Sequence, residues 1–318
     1  MVSLSGKVAV VAGATRGAGR GIACMLGEAG ATVYCTGRSV RGKPATGDRP
    51  ETIEETAEMV TDRGGKGIHV QVDHTRQSEV RSLFDRVAAE GGQLDILVND
   101  VWGGDALTEF GVPFWKLSLD KGLTMLERAV HSHIITSRYG VPLILKAGRG
   151  CILEVTDGDT FGYRGNLFYD LVKTSVIRLA FSMAWELRRT EIAAVAVTPG
   201  FLRSEEMLER FGVTEENWRD HAKKDPNFIA SETPYYVGRA IAALAADPNI
   251  KKKSGRVFSS WGLAREYGFR DIDGSQPDWG AHFEKAYGQP LKTCDDDFYG
   301  YWQDGLIDIL FPDWPKTG

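Results

Sequence analysis

Short, strand-like runs recur along the chain, at Val8–Ala12, Thr32–Thr36, Gly67–Val72, Leu94–Val98, Cys151–Val155, Ala193–Val197 and Arg256–Ser259. The first is wholly apolar and rich in β-branched residues, as expected of a strand buried on both faces. Longer stretches with helical spacing lie between the runs: one marked by Ile22, Leu26 and Ala29, then Glu51–Arg63, Gln77–Ala89, Asp120–Leu145 and Leu167–Arg189. Alternation on this scale predicts right-handed βαβ crossovers and an α/β fold, a doubly wound parallel sheet of about seven strands with helices on both faces. Ligands of such sheets bind beyond the carboxyl ends of the strands, where the strand order reverses. Gly13, Asp73, Asn99, Thr156 and Pro199 all fall at predicted strand ends, so one crevice should gather them.

Two regions lie outside this pattern. Phe201–Pro234 links the sixth strand to the next helix and contains a charged stretch, Ser204–Lys224, expected to be helical and to hang over the crevice as a lid. From Ala264 to Gly318 the chain carries Trp279, Phe298, Tyr299, Tyr301, Trp302 and Trp314, and so many aromatics argue against disorder. They pack on the parent domain, cover the site or form a subunit contact.

Composition narrows the classes. At 318 residues and 42% hydrophobic content the chain makes one large or two small domains. A net charge of −5 leaves no basic footprint for nucleic acid, and no apolar run reaches the ~18 residues of a membrane span. The four cysteines show no paired spacing, which fits a reducing, cytoplasmic setting. No metal is expected. His131 and His133, two apart on a helix, point about 200° away from each other. Asp295–Asp297 lacks a calcium-loop frame.

The chemistry-bearing residues start with the loop after the first strand. Gly13-Ala14-Thr15-Arg16-Gly17-Ala18-Gly19 lies between that strand and the first helix. Glycines there permit the tight turn, let backbone N–H groups approach a pyrophosphate and allow close packing, and the helix N-terminus favours the phosphates. Tyr169 and Lys173 are four apart on a predicted helix and share a face, with Thr156 at the end of the strand thirteen residues upstream of Tyr169. A fixed ammonium about 4 Å from a phenol, at an effective dielectric near 20, favours the phenolate by up to ~4 kcal/mol. That is roughly three pKa units, enough to bring a group that normally titrates near 10 towards neutrality. The Thr156 hydroxyl would hold a substrate oxygen against the phenol. An exposed Tyr–Lys pair gives the same spacing with no chemistry, so the pair gains weight only from the glycine loop.

From about Leu4 to Ser260 the chain resembles the short-chain dehydrogenase/reductase family. Gly13, Gly17 and Gly19 match its G-x-x-x-G-x-G loop, Asp73 its adenine-contacting aspartate, Asn99 the start of its N-N-A-G motif, Tyr169 and Lys173 its Y-x-x-x-K pair, and Pro199-Gly200 its P-G turn. The trailing segment resembles one subgroup of that family. The resemblance implies a Rossmann-like catalytic domain over residues 1–263 with a lid at 201–234, and a C-terminal extension, 264–318, packed on it. It implies a nicotinamide cofactor held by Gly13, Thr15, Arg16, Gly17, Gly19, Arg38, Asp73, Asn99, Lys173, Pro199, Gly200 and Ser204. It also implies a small carbonyl or alcohol substrate, and a homodimer or homotetramer formed through the Asp120–Leu145 and Leu167–Arg189 helices.

The second strand ends Cys35-Thr36-Gly37-Arg38 with no carboxylate to grip a ribose hydroxyl, and Arg16 adds a second cation. NADP(H) is therefore expected over NAD(H). The chain departs from the family at Thr156, which replaces a serine, and at Asp100 and Trp102, beside the expected nicotinamide site. Trp102 forms a substrate wall or packs under the cofactor loop. The chain also lacks any asparagine between Asp120 and Lys146, where the family anchors a proton-relay water; Ala129 takes that slot, with His131 and His133 nearby. The expected activity is an NADPH-dependent carbonyl reductase or alcohol dehydrogenase with Tyr169, Lys173 and Thr156 as its catalytic residues. The missing asparagine and Asp100 motivate an alternative, a non-catalytic NADP(H)-binding scaffold. A sugar-nucleotide epimerase fits less well, because no nucleotide-sugar domain is evident.

Overall fold

The computed structural model describes residues 2–45, 49–159 and 162–288. Seven strands form one parallel sheet: β1 (Val8–Ala12), β2 (Thr32–Gly37), β3 (Lys66–Gln71), β4 (Ile96–Asn99), β5 (Arg149–Val155), β6 (Glu191–Thr198) and β7 (Val257–Ser259). Their order is β3-β2-β1-β4-β5-β6-β7. The expected strand ends hold to within about two residues. In β1, β2, β4, β5 and β6 an apolar run buried on both faces leaves little choice of boundary, whereas β3, at the edge of the sheet, has no fully buried residue. Strand order reverses between β1 and β4, which pair in register from Ala9 with Ile96 to Ala12 with Asn99.

Alternate residues of each strand serve opposite cores, the period-two signature of a sheet covered on both sides. Ala9, Val11, Val33, Cys35, Val98 and Leu153 face one core with residues of α1 (Gly17–Glu28), α2 (Ile53–Asp62) and, late in the chain, the helix Pro234–Ala246. Val8, Val10, Tyr34, Leu97 and Ile152 face the other, against α3 (Gln77–Gly91) and the helices that precede and follow β5.

The expected single helix Asp120–Leu145 is divided. α4 (Leu119–Leu126) passes through a wide π turn, Glu127–His131, into α5 (Ser132–Ala147). The wide turn carries Ala129 into a cluster with Phe168 and Val172 of α6 (Leu167–Glu186), while Arg128 reaches out to the carbonyl of Gly103. The stretch Ser204–Lys224 is also broken. Ser204 caps α7 (Glu205–Phe211), and Gly212, in the left-handed conformation, stops it before a separate 3-10 turn at Trp218–Lys223.

α8 (Pro234–Ala246), α9 (Ser260–Tyr267) and α10 (Trp279–Tyr287) complete the described chain. α9 runs through the expected join at 263–264. Beyond it, buried Asp271 accepts hydrogen bonds from the Thr233 N–H (2.8 Å) and hydroxyl (2.5 Å) at the start of α8, and the Tyr236 hydroxyl donates to the Pro277 carbonyl. Trp279 stands edge-on to Phe201, so residues 264–288 pack on the sheet domain and on the segment after β6. Phe298, Tyr299, Tyr301, Trp302 and Trp314 lie outside the described residues. No described helix is long and apolar enough to cross a membrane.

If Asp271 ties this segment down, Asp271→Ala leaves two buried donors at Thr233 unpaired and should cost about 1.5–3 kcal/mol. Urea unfolding reads the loss directly; a midpoint equal to that of the parent protein would show the contact to be dispensable.

Candidate active site

The crevice forms where β1 hands over to α1. Gly13, with φ at 92°, has no room for a side chain: a Cβ there would lie 2.6 Å from the Asp100 carbonyl oxygen. A Cβ at Gly19 would lie 2.3 Å from the Gly13 carbonyl oxygen and 2.8 Å from the Asp100 carboxylate. The loop therefore closes on itself and on the end of β4, leaving bare backbone at the mouth of α1. The Gly19 N–H donates to the Asp100 carboxylate, and burial pushes that carboxyl up to about 7 against the pull of Lys173 and His133.

A cavity of about 790 Å³ opens from this cradle across the ends of β2, β4, β5 and β6. Gly13, Thr15, Arg16, Gly17, Arg38, Asp73, Thr156, Tyr169, Lys173, Pro199, Gly200 and Ser204 all line it. Gly19 stands just behind the wall. Asn99 turns away: its side-chain amide donates to Ser137 (2.9 Å) and Glu154 (2.6 Å), and Glu154 meets His133 Nδ1 at 2.6 Å. That buried chain ties β4 and β5 to α5, and it is where one of the histidines near the vacant asparagine slot is engaged.

The two expected arginines differ in freedom. Arg16 is held against the Glu51 carboxylate at 3.5 Å, which Arg49 also grips at 2.7 Å. Arg38 lines the cavity next to Gly103, where Arg128 joins it; burial, then the charge of Arg38, lowers the pKa of Arg128. Periodicity gave no sign of Arg128, because the π turn sets its direction. Ser204 caps α7 and sits against Gly17, while the neighbouring Glu205 carboxylate accepts from the Gly17 N–H at 2.8 Å. The segment after β6 is thus fastened to the glycine loop. At its base Gly200 donates to buried Glu232, which burial pushes up to about 8.

Tyr169 and Lys173 do share one face of α6, but the phenol's partner is not the one expected. The Thr156 hydroxyl donates to the Lys173 carbonyl at 2.7 Å. The Tyr169 hydroxyl donates instead to the Asp157 carboxylate at 2.7 Å. The expected lowering of the phenol's pKa is reversed for the same reason: burial first, then the Asp157 charge and hydrogen bond, holds Tyr169 well above its ordinary range. Lys173 is buried with its ammonium 4.2 Å over the Trp102 ring; burial lowers its pKa while Asp157, Asp100 and Asp105 pull it upward. Trp102 also meets Tyr169 edge-on at 5.4 Å, so it walls the site beside the phenol. Among the described residues no three His, Cys, Asp or Glu side chains converge as metal ligands.

If Asp157 holds the phenol proton in place, Asp157→Asn should lower the Tyr169 pKa part of the way, since burial remains. Tyrosinate absorbance of that variant, referenced to the same variant with Tyr169→Phe, isolates the one phenol. An ionisation curve superimposing on that of the parent protein would rule out this coupling.

A sequence profile described as short chain dehydrogenase matches residues 7–214. The proteins named "Dehydrogenase/reductase SDR family member 1" from Homo sapiens and Mus musculus are each 37% identical over 276 residues, covering 85% of this chain and 85% of theirs. Among solved structures, a hydroxysteroid dehydrogenase from Escherichia coli superposes with a TM-score of 0.67 at 23% identity, over 82% of this chain and 97% of that one.

Proposed function

This chain belongs to the short-chain dehydrogenase/reductase family, and on that footing we propose that it is an NADPH-dependent oxidoreductase acting on a carbonyl compound or secondary alcohol. The observation that carries the reading is the opening of a bare-backbone glycine cradle and the Tyr169–Lys173 face into one cavity. Backbone around Gly13, Gly17 and Gly19, with the α1 N-terminus, suits a pyrophosphate, which would take the place of the Glu205 carboxylate on the Gly17 N–H. Arg38, with Arg128 beside it and no acid at the end of β2, suits a 2′-phosphate; Arg16 contributes less, being spent on Glu51. Asp73 suits the adenine, and Lys173 with Pro199 and Gly200 suits the nicotinamide end.

The nicotinamide, when bound, supplies or accepts hydride. Tyr169 gives or takes the proton on the substrate oxygen. Lys173 holds positive charge beneath it, and Thr156 fixes the Lys173 turn of α6 through its carbonyl. Residues 201–234 act as a lid fastened by Glu205 to the glycine loop. We read the apolar side chains exposed on α4, Leu119 (67%) and Leu123 (58%), as part of a subunit contact in a homodimer or homotetramer. The described cysteines are free and buried, which supports a cytoplasmic setting. The raised phenol pKa favours a second reading, a cofactor-binding protein without turnover.

Tyr169→Phe keeps the ring and removes the proton donor, so turnover of a ketone panel should fall by about a hundredfold or more, with cofactor affinity nearly unchanged. Activity within a few-fold of the parent would remove Tyr169 from the chemistry. Cofactor binding with no turnover by the parent protein would favour the second reading.

Arg38→Ala should weaken NADPH by roughly tenfold or more and NADH far less, because a charge-assisted bond to the 2′-phosphate is typically worth about 1.5–3 kcal/mol. Titration calorimetry with both cofactors decides it. Equal losses would make Arg38 structural and leave the cofactor preference unsupported.

A further inference from the structure

We propose that the substrate end of this cavity takes carbonyl compounds that carry a protonated amine, with Asp157 the carboxylate that receives the ammonium. The proposal rests on the oxidoreductase reading and deepens it by naming a substrate class.

One proton in the site has two claimants. Tyr169 has a single O–H, and it is given to Asp157 at 2.7 Å. To serve a substrate oxygen the phenol must let Asp157 go. An ionised carboxylate only accepts hydrogen bonds, so Asp157 cannot share a carbonyl oxygen with the phenol as a hydroxyl would. Facing a plain ketone it is left half-buried, unpaired and beside another electron-rich oxygen, an arrangement that costs free energy. A substrate N–H⁺ a few atoms from the carbonyl supplies the missing partner. The carbonyl carbon gains the hydride, its oxygen gains the Tyr169 proton, and the ammonium leaves the reaction unchanged.

The surroundings point the same way. Asp159, two residues on, lines the cavity and is 6% exposed, and its Oδ1 has no hydrogen-bond partner among the described residues. The charge of Asp105 reaches Tyr169, Lys173 and the lid's Glu206. The walls are aromatic: Trp102 and Phe110 meet Tyr169 edge-on at 5.4 and 5.7 Å, and ring faces attract cations. The Trp102 face already serves one, the Lys173 ammonium. The cations Arg38 and Arg128 stand together at the glycine-loop end beside Gly103, and Arg16 stands with Glu51. Arg210, the other arginine in the lining, acts on Glu206. The substrate end also holds cations: Lys173 lies beside Tyr169, and Arg164, paired with Asp170 at 3.0 Å, donates to the Asp157 carbonyl at 2.7 Å. The Asp157, Asp159 and Asp105 carboxylates stand there with them.

The probes are β-dimethylaminopropiophenone and its isostere with a CH group in place of the nitrogen. The protein with reduced cofactor should show kcat/KM about tenfold or more higher for the amine, the scale of one restored buried partner. Asp157→Asn should bring that ratio close to one, and Asp105→Asn, which keeps an oxygen to accept from the Trp102 indole N–H (2.8 Å) while removing the charge, should lower it several-fold. Quenching of tryptophan fluorescence by the two corresponding alcohols measures the same preference without turnover. A parent protein that favours the carbon isostere, or an Asp157→Asn variant that keeps the amine preference, overturns the proposal. Absence of turnover for both ketones counts against the oxidoreductase reading instead, and the fluorescence arm still decides charge selection.

Discussion

The rest of the site depends on a steric constraint at one point, the contact of the glycine loop with the end of β4. Because neither Gly13 nor Gly19 has room for a Cβ, α1 begins almost on top of β1, and the backbone of Asp100 lies across the loop. That contact points the α1 N-terminus into the crevice. It also buries the Asp100 carboxyl, and that burial pushes its pKa up to about 7. Whenever Asp100 is ionised, its charge close to Lys173 favours the ammonium form of that buried lysine. Close packing at the cofactor end and charge at the catalytic end are therefore one arrangement.

Tyr169→Phe and Asp157→Asn probe opposite ends of the same hydrogen bond, and that bond shows where the sequence was legible and where it was not. The seven strands, their parallel direction and the crevice could be read from apolar runs and from residues at their ends, because burial on both faces leaves most of these runs little freedom. The partner of Tyr169 could not. Side chains alternate across a strand, so a shift of one position exchanges the residue facing α6 for the residue facing away. Thr156 and Asp157 lie just past the end of β5, where the path of the loop decides which of them meets the phenol, and a spacing carried over from a resemblance cannot choose between them. Helix breaks posed a similar difficulty. The π turn before α5 and the stop at Gly212 follow from local geometry that a hydrophobic pattern does not encode, and the first of them aims Arg128 at Gly103.

Lys173 is the residue on which these effects meet. A single buried ammonium is costly unless opposite charge compensates it. Here Asp157, Asp100 and Asp105, in that order of weight, oppose the effect of burial, and the Trp102 face adds its own attraction. A serine or threonine facing the phenol would donate to a substrate oxygen but would add no charge; an aspartate stabilises the lysine while withholding the phenol's proton. The two effects act in opposite directions on catalysis. The Asp157 charge favours the ammonium form of Lys173 against burial, and the same carboxylate raises the pKa of the group that must release or take the proton. A substrate that occupies Asp157 with its own positive charge relieves the second effect, because the phenol is then free to turn. It takes up part of the first, since the carboxylate must balance the substrate as well as Lys173, leaving Asp100 and Asp105 to oppose the burial of the ammonium. Charge on the substrate would then do more than improve binding: it would set the protonation behaviour of Tyr169.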